Sequence, residues 1–315
     1  MSRVALLAGV LSLCAALATP ASAQDRPPAP LEARDTALID AAISAMPGNR
    51  PGVVDLYALG FGGDGTEDVF RNEALYFADL ARQRLQARGA LALVNHLDSV
   101  EGTPTPLASY DNLARALEGI AGRMDTAEDI LLLYLTMHGT PEHELVLAVP
   151  PFVEDALIPK DLENLLDDSG IRNRVVVISA CYAGGFIPRL RGRDTLVMTA
   201  ARSDRTSFGC GSDSSVTFFG RAWMVEGLNQ QADPIAAFDD AVTRIAAWEL
   251  GEALEPSYPQ IAVGRRIRER LQTWRQQTAA GAPLAYPHPI EPVDLIELAE
   301  APAPALQAEP ASREP

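Results

Sequence analysis

Five short runs of apolar residues, hardly broken by polar ones, constrain this chain more than any other feature. They are Val53–Leu59, Ala90–Val94, Ile130–Thr136, Val175–Ser179 and Leu196–Thr199. A strand without polar alternation must be covered on both faces, as happens in a mostly parallel sheet packed between helices. Segments with helical spacing lie between the runs. Val69–Ala87 places Phe70, Ala74, Phe77, Leu80 and Leu85 on one side, and Tyr110–Met124 opens beside the capping candidates Ser109 and Asp111. Further helices are expected over Pro159–Leu166, Phe218–Leu228, Pro234–Leu254 and Arg265–Arg275, with a hairpin strand at Glu144–Val149 and a last strand at Ile261–Val263. The expected fold is therefore α/β, a three-layer sandwich whose mostly parallel central sheet has about six strands, with helices on both faces.

The ends of the chain read differently. Arg3, the apolar stretch Val4–Leu17 and the small residues Ala21-Ser22-Ala23 have the form of a secretory signal peptide spanning 1–23, cut before Gln24. The apolar run is short for a spanning helix, and no later segment is long enough to cross a bilayer. The mature chain is therefore expected to be soluble, in the periplasm or secreted. Residues 24–34 read as a disordered lead-in, 35–276 as a single domain and 277–315 as a Pro/Ala-rich tail. Hydrophobic residues make up 47% of the 315, enough for a core of that size. With 42 acidic and 26 basic side chains, the formal net charge of −16 argues against a nucleic-acid partner. Cys14 leaves with the signal peptide, so Cys181 and Cys210 are the thiols of the mature protein.

In open parallel sheets the chemistry collects outside the carboxyl ends of the strands. Two of the runs end on reactive residues: Ile130–Thr136 leads into His138-Gly139, and Val175–Ser179 into Ala180-Cys181. Taken singly, a cysteine is more often a small buried hydrophobe and a histidine more often structural. Together, at strand ends and flanked by small residues, they have the makings of a thiol nucleophile and its base. A thiolate attacks carbonyl carbon readily, and an imidazole can take the thiol proton and later return it to a leaving amine. The backbone N–H groups of Gly139 and Cys181 are the natural donors to an oxyanion. Gly184 and Gly185 are expected to keep the space above the sulfur open. No Cys or His stands at metal-ligand spacing beside the pair apart from His143, so a metal site is not expected.

Three linked runs, Tyr134 to Gly139, Val175 to Gly185 and Thr199 to Cys210, resemble the bacterial branch of peptidase family C13. This is the legumain family, in the clan that also holds caspases and gingipains. The likeness extends over roughly Val53 to Arg275, in matching order and spacing. It implies a caspase-like sandwich, endopeptidase activity on peptide or protein substrates, a dyad of His138 and Cys181, and no cofactor.

The resemblance stops at the specificity pocket. Legumain's preference for asparagine uses an arginine after the first strand and acids before the nucleophile and on a later helix. Here the first-strand loop is Gly60 to Asp64 without arginine, the residue two before Cys181 is Ser179, and Arg221 follows Phe219-Gly220. Thr206, Ser207 and Phe208 are expected to line one wall of the S1 pocket. Arg202, Arg205 and Arg221 could prefer an acidic P1 side chain and Asp64 would pull towards a basic one, although exposed arginines on loops are usually just solvated. Cys210 is either a packed residue of the S1 loop or a reversible bridge partner of Cys181.

Three readings of the dyad stand side by side. The first is hydrolysis through a thioester, the second transfer of the acyl group to an amine, the third a caspase-like domain that binds without turnover. His96 and His143 read as loop or strand-end residues, Trp223, Trp248 and Trp274 as core anchors, and Arg265, Arg266, Arg268 and Arg270 as a basic helix face. Oligomeric state is not written in the sequence.

Overall fold

The computed structural model describes residues 31–290 and 292. The signal-peptide segment, most of the lead-in and the last part of the tail lie outside the described residues. The central sheet is built from β1 (Leu56–Gly62), β2 (Gly89–Val94), β3 (Ile130–Thr136), β6 (Asn173–Ser179), β7 (Thr195–Thr199) and β8 (Gln260–Val263), in the spatial order β2-β1-β3-β6-β7-β8. Every neighbouring pair is parallel except β7 with β8, which closes one edge antiparallel. A separate hairpin pairs β4 (Leu145–Val149) with β5 (Val153–Leu157). The expected three-layer α/β sandwich is the observed one.

Period-two geometry explains why the strands are apolar throughout. In β3, Ile130, Leu132 and Tyr134 enter the core on one face while Leu131, Leu133 and Leu135 enter the other. The first face is covered by α2 (Asp68–Gln83), by a π-helical segment over Gly220–Leu228 that runs into the short α7 (Asn229–Gln231), and by α8 (Pro234–Gly251) and α9 (Arg265–Gln277). The second is covered by α1 (Leu31–Ala45), α4 (Tyr110–Ala121), α5 (Pro159–Asp168) and α6 (Ile187–Leu190), and α3 (Leu97–Glu101) sits beyond β2. Aromatic rings fill the first layer: Phe77 stacks on Tyr134 at 5.1 Å, Tyr134 on Trp223 at 5.8 Å, and Trp223 on Phe219 at 6.2 Å. All three tryptophans are buried, as core anchors should be.

Local signals fix several helix ends. Ser109 Oγ accepts the Asn112 N–H at 3.2 Å, the expected cap of α4. Asp233 caps α8 by accepting from Ile235 and Ala236, with Pro234 in the first turn. The basic face of α9 is partly neutralised within the molecule, through Arg270–Glu128 at 2.5 Å and Arg266–Asp194 at 3.4 Å.

Two expected boundaries move outward. The lead-in was to extend to residue 34, but α1 already begins at Leu31. The cause is Asp35, a buried carboxylate that accepts Arg34, the Leu107 N–H at 3.0 Å and Asn112 Nδ2 at 2.9 Å, and so anchors the helix to α4. The tail was to begin at 277, yet the stretch from 278 to 290 is an extended strap packed on the first layer. Leu284, Tyr286 and Ile290 lie against the core. Leu284 exchanges two hydrogen bonds of 2.8 Å with the Asn229 side chain, and the Tyr286 hydroxyl donates to Ser215 O at 2.7 Å.

A chain ending at Ala282 keeps α9 but loses these contacts. The apolar area and hydrogen bonds removed should cost about 2–4 kcal/mol, read as a lower urea midpoint. An unchanged midpoint would show that the strap is not part of the folded unit.

Candidate active site

Strand register decides which residues meet at the carboxyl edge of the sheet. β1, β3 and β6 run parallel with Gly62 beside Thr136 and Thr136 beside Ser179. His138 and Cys181 each lie two residues past that paired level, so they leave the sheet at the same edge on neighbouring strands. Past the last pair the two chains stay in contact. The Met137 N–H donates to Ser179 O at 3.3 Å, and a Cβ placed on Gly139 would come 2.2 Å from the Cys181 carbonyl oxygen. Glycine is thus needed at 139 because backbone meets backbone there. Among the described residues, the N–H groups of Gly139 and Cys181 donate to no other backbone group.

The half-buried His138 ring meets Phe70 of α2 edge-on, with centroids 5.0 Å apart, and its carbonyl accepts the Val146 N–H of β4 at 3.0 Å. Helix and hairpin hold it from either side. No hydrogen bond joins the imidazole to another side chain among the described residues, and none joins it to the sulfur. The fold supplies a shared strand-end position and leaves the ring nitrogens uncommitted.

Cys181 is half-buried, and its sulfur faces Ser207. The Ser207 N–H points at Sγ at 3.3 Å, while Ser207 Oγ and the Ser207 carbonyl each lie 3.6 Å away. Tyr182, the next residue, takes the left-handed conformation (φ 57°, ψ 12°), which a bulky side chain adopts only when its surroundings require it. The requirement comes from the loop after β7: the Tyr182 N–H donates to Arg205 O at 2.8 Å and the Gly184 N–H to Ala201 O at 2.9 Å. A sharp turn held in this way displays the thiol at the end of β6.

The two glycines after the turn have a different reason from the expected one. Gly184 lies against the backbone of Arg202 and Ser203, and Gly185 lies under the His143 ring, whose Cγ would be 2.2 Å from a Cβ there. Neither glycine serves to clear space above the sulfur. His143 is also more than a loop residue, since its Nδ1 lies 3.1 Å from Tyr182 O and pins the same turn. His96 caps α3 by accepting the Asp98 N–H at 3.1 Å and meets Asp68 at 2.9 Å.

The residues expected to line S1 are only partly brought together. Ser207 touches the sulfur, and Thr206 beside it is exposed. Ser179 is buried and bonded to Thr217 Oγ1 at 3.1 Å, which leaves its hydroxyl turned into the protein. Asp64 is 3% exposed, and its Oδ1 is taken up by the Thr66 N–H at 2.9 Å and hydroxyl at 2.6 Å. The arginines already face carboxylates: Arg202 meets Asp204 at 2.5 Å, Arg205 meets Glu255 at 2.9 Å, and Arg221 meets Glu226 at 2.7 Å while stacking on Trp248. Tyr258 lies under both Arg202 and Arg205.

Cys181 and Cys210 are both free thiols. Burial, then the neighbouring Cys181, push the Cys210 thiol up to about 11, which keeps it protonated at neutral pH. That favours its role as a packed residue of the loop.

One functional group escaped the sequence reading. Glu73 of α2 is fully buried below the dyad and accepts the Tyr134 hydroxyl at 2.7 Å, the Thr136 hydroxyl at 2.6 Å and the Thr217 N–H at 2.7 Å. Burial raises its pKa, and the three donors pull the other way. Its signal was present: a charged residue on the apolar side of α2, between Phe70, Ala74 and Phe77.

Among the described residues there is no cluster of His, Cys, Asp and Glu able to hold a metal ion. No curated protein matches this chain. The model of the peptidase C13 family matches residues 111–269, half of the chain, a span that holds both strand ends, the Tyr182 turn and the Ser207 loop. On that match, with the caspase-like sandwich around it, the chain belongs to the peptidase C13 family and is a cysteine peptidase.

Proposed function

We propose that the protein cleaves peptide bonds within peptide or protein substrates through a thioester acyl-enzyme, with Cys181 as nucleophile and His138 as base and acid. The observation that carries this reading is the junction of the β3 and β6 ends, where Gly139 abuts the Cys181 carbonyl and leaves two amides uncommitted. His138 takes the thiol proton, Cys181 Sγ attacks the scissile carbonyl carbon, and the oxygen gathers negative charge facing the N–H groups of Gly139 and Cys181. His138 returns the proton to the leaving amine. It then deprotonates water for attack on the thioester, which frees the acid and restores the thiol. Transfer to an amine differs only in the last nucleophile.

Ser207, with Thr206 and Phe208 beside it, forms the wall nearest the sulfur. Since Arg202, Arg205 and Arg221 are each paired with a carboxylate of the protein itself and Asp64 is bonded to Thr66, this wall is not set up to select a charged P1 residue. The run Val4–Leu17 with Ala21-Ser22-Ala23 supports export as part of the same proposal. No helix among the described residues is long and apolar enough to cross a membrane.

Turnover of fluorogenic peptides by the reduced protein tests the dyad. Cys181→Ala should abolish it, and His138→Ala should lower kcat/KM by at least about a thousandfold with the melting midpoint retained. Activity retained in either variant would overturn the assignment of that residue. Adding an amine nucleophile should leave acid as the main product; predominance of amide would move the reading to transpeptidation.

Across a P1 library, kcat/KM after Asp, Asn and Arg should agree within about tenfold. A larger preference for Asp or for Arg would show that one of the paired charges turns to the substrate.

A further inference from the structure

We propose that Glu73 is a positioning residue for the dyad: its buried carboxylate holds the strand ends carrying His138 and Cys181, and the loop carrying Ser207, in one register. This rests on the reading of His138 and Cys181 as the reacting pair.

The connections run outward from the two carboxylate oxygens. Oε2 accepts Tyr134 and Thr136, both on β3, and Thr136 stands two residues before His138. Oε1 accepts the Thr217 N–H, at the far end of the loop that brings Ser207 to the sulfur. Thr217 Oγ1 lies 3.1 Å from Ser179 Oγ, two residues before Cys181, and accepts the Gly220 N–H at 2.9 Å. One helix turn from Glu73 on the same face of α2, Phe70 supports the imidazole edge-on. A single carboxylate therefore ties the helix behind His138, the strand before it, the strand before Cys181 and the pocket loop.

The site is built around that group. A Cβ on Gly220 would lie 2.1 Å from Oε1, so the π-helical segment presses directly on the carboxylate and leaves room for no larger neighbour. Every hydrogen bond to Glu73 is donated by the partner, which is the pattern that suits an anion. Fully burying a carboxyl is unfavourable and raises its pKa. An apolar side chain would hold α2 to the sheet without that cost, so stability alone is a poor reason for Glu73. What an apolar side chain cannot do is set three donors from two segments, β3 and the loop ending at Thr217, at fixed distances. Such orientation is worth much at a thiol–imidazole pair, where displacement of about 1 Å costs rate steeply.

Glu73→Gln keeps the shape but places an NH2 opposite one of the donors. It should lower kcat at least about tenfold while KM stays within about threefold and the protein still melts cooperatively. A folded Glu73→Gln protein with kcat and KM both within about twofold of wild type would overturn the proposal. Should Glu73→Gln fail to fold, Thr136→Ser and Thr136→Val decide. Serine keeps the hydroxyl and should restore kcat, valine loses it and should reproduce the deficit, and equal kcat in the two would overturn the proposal.

A second readout needs no substrate. The rate of Cys181 alkylation by iodoacetamide, followed by mass spectrometry across pH, should shift between wild type and Glu73→Gln; superimposable profiles would overturn the proposal. Absence of peptide turnover in wild type would instead overturn the peptidase reading of the dyad, and the alkylation profiles would still decide the role of Glu73.

Discussion

Parallel pairing of β3 with β6 is the constraint on which the rest of this structure depends. Because Thr136 stands beside Ser179, the residues two further on in each chain leave the same edge of the sheet together. A slip of one residue would turn every side chain of either strand to the opposite face and part His138 from Cys181. The register is held from both faces, since Leu131, Leu133 and Leu135 pack into one layer while Leu132 and Tyr134 pack into the other. It is held again at the edge, where Gly139 fits against the Cys181 carbonyl. Burial thus gives the strands their places, and backbone contact at the edge turns those places into a site.

The loop after β7 makes the second contribution. It receives the Tyr182 and Gly184 N–H groups and returns the Ser207 N–H to the sulfur. The strained Tyr182 conformation is the local consequence, and His143 over Gly185 braces it from the other side. The arginines of this loop are paired, Arg202 with Asp204 of the same loop and Arg205 with Glu255 beyond α8, which leaves no single sign of charge there. Exposed pairs of this kind contribute little stability.

Much of this was legible in the residues. Apolar runs mark buried strands directly, and Ile130–Thr136 is β3 to the residue. The positions of His138 and Cys181 follow, since strand ends are where an open sheet puts its chemistry. Other features depend on partners distant in the chain and so leave no local trace. α1 is amphipathic only weakly, and it is fixed by Asp35 reaching Leu107 and Asn112. The Pro-rich strap from 278 looks like a tail because its order comes from Asn229, Tyr76 and Ser215. Gly184 and Gly185 announce a close approach, but whether to substrate or to the protein's own backbone is decided by the β7 loop. Glu73 is the clearest case: a charge on an apolar helix face signals a buried network, while its members lie on β3 and beyond residue 215.

The central claim is that the β3–β6 junction makes Cys181, and not Cys210, the reacting sulfur. The most direct measurement is to treat the reduced protein with a peptidyl acyloxymethyl ketone, which alkylates an activated thiol after binding as a substrate does, and to locate the adduct by mass spectrometry. A single adduct on Cys181, lost in His138→Ala, is the predicted result. An adduct on Cys210, or none on Cys181 in folded protein, would contradict the account.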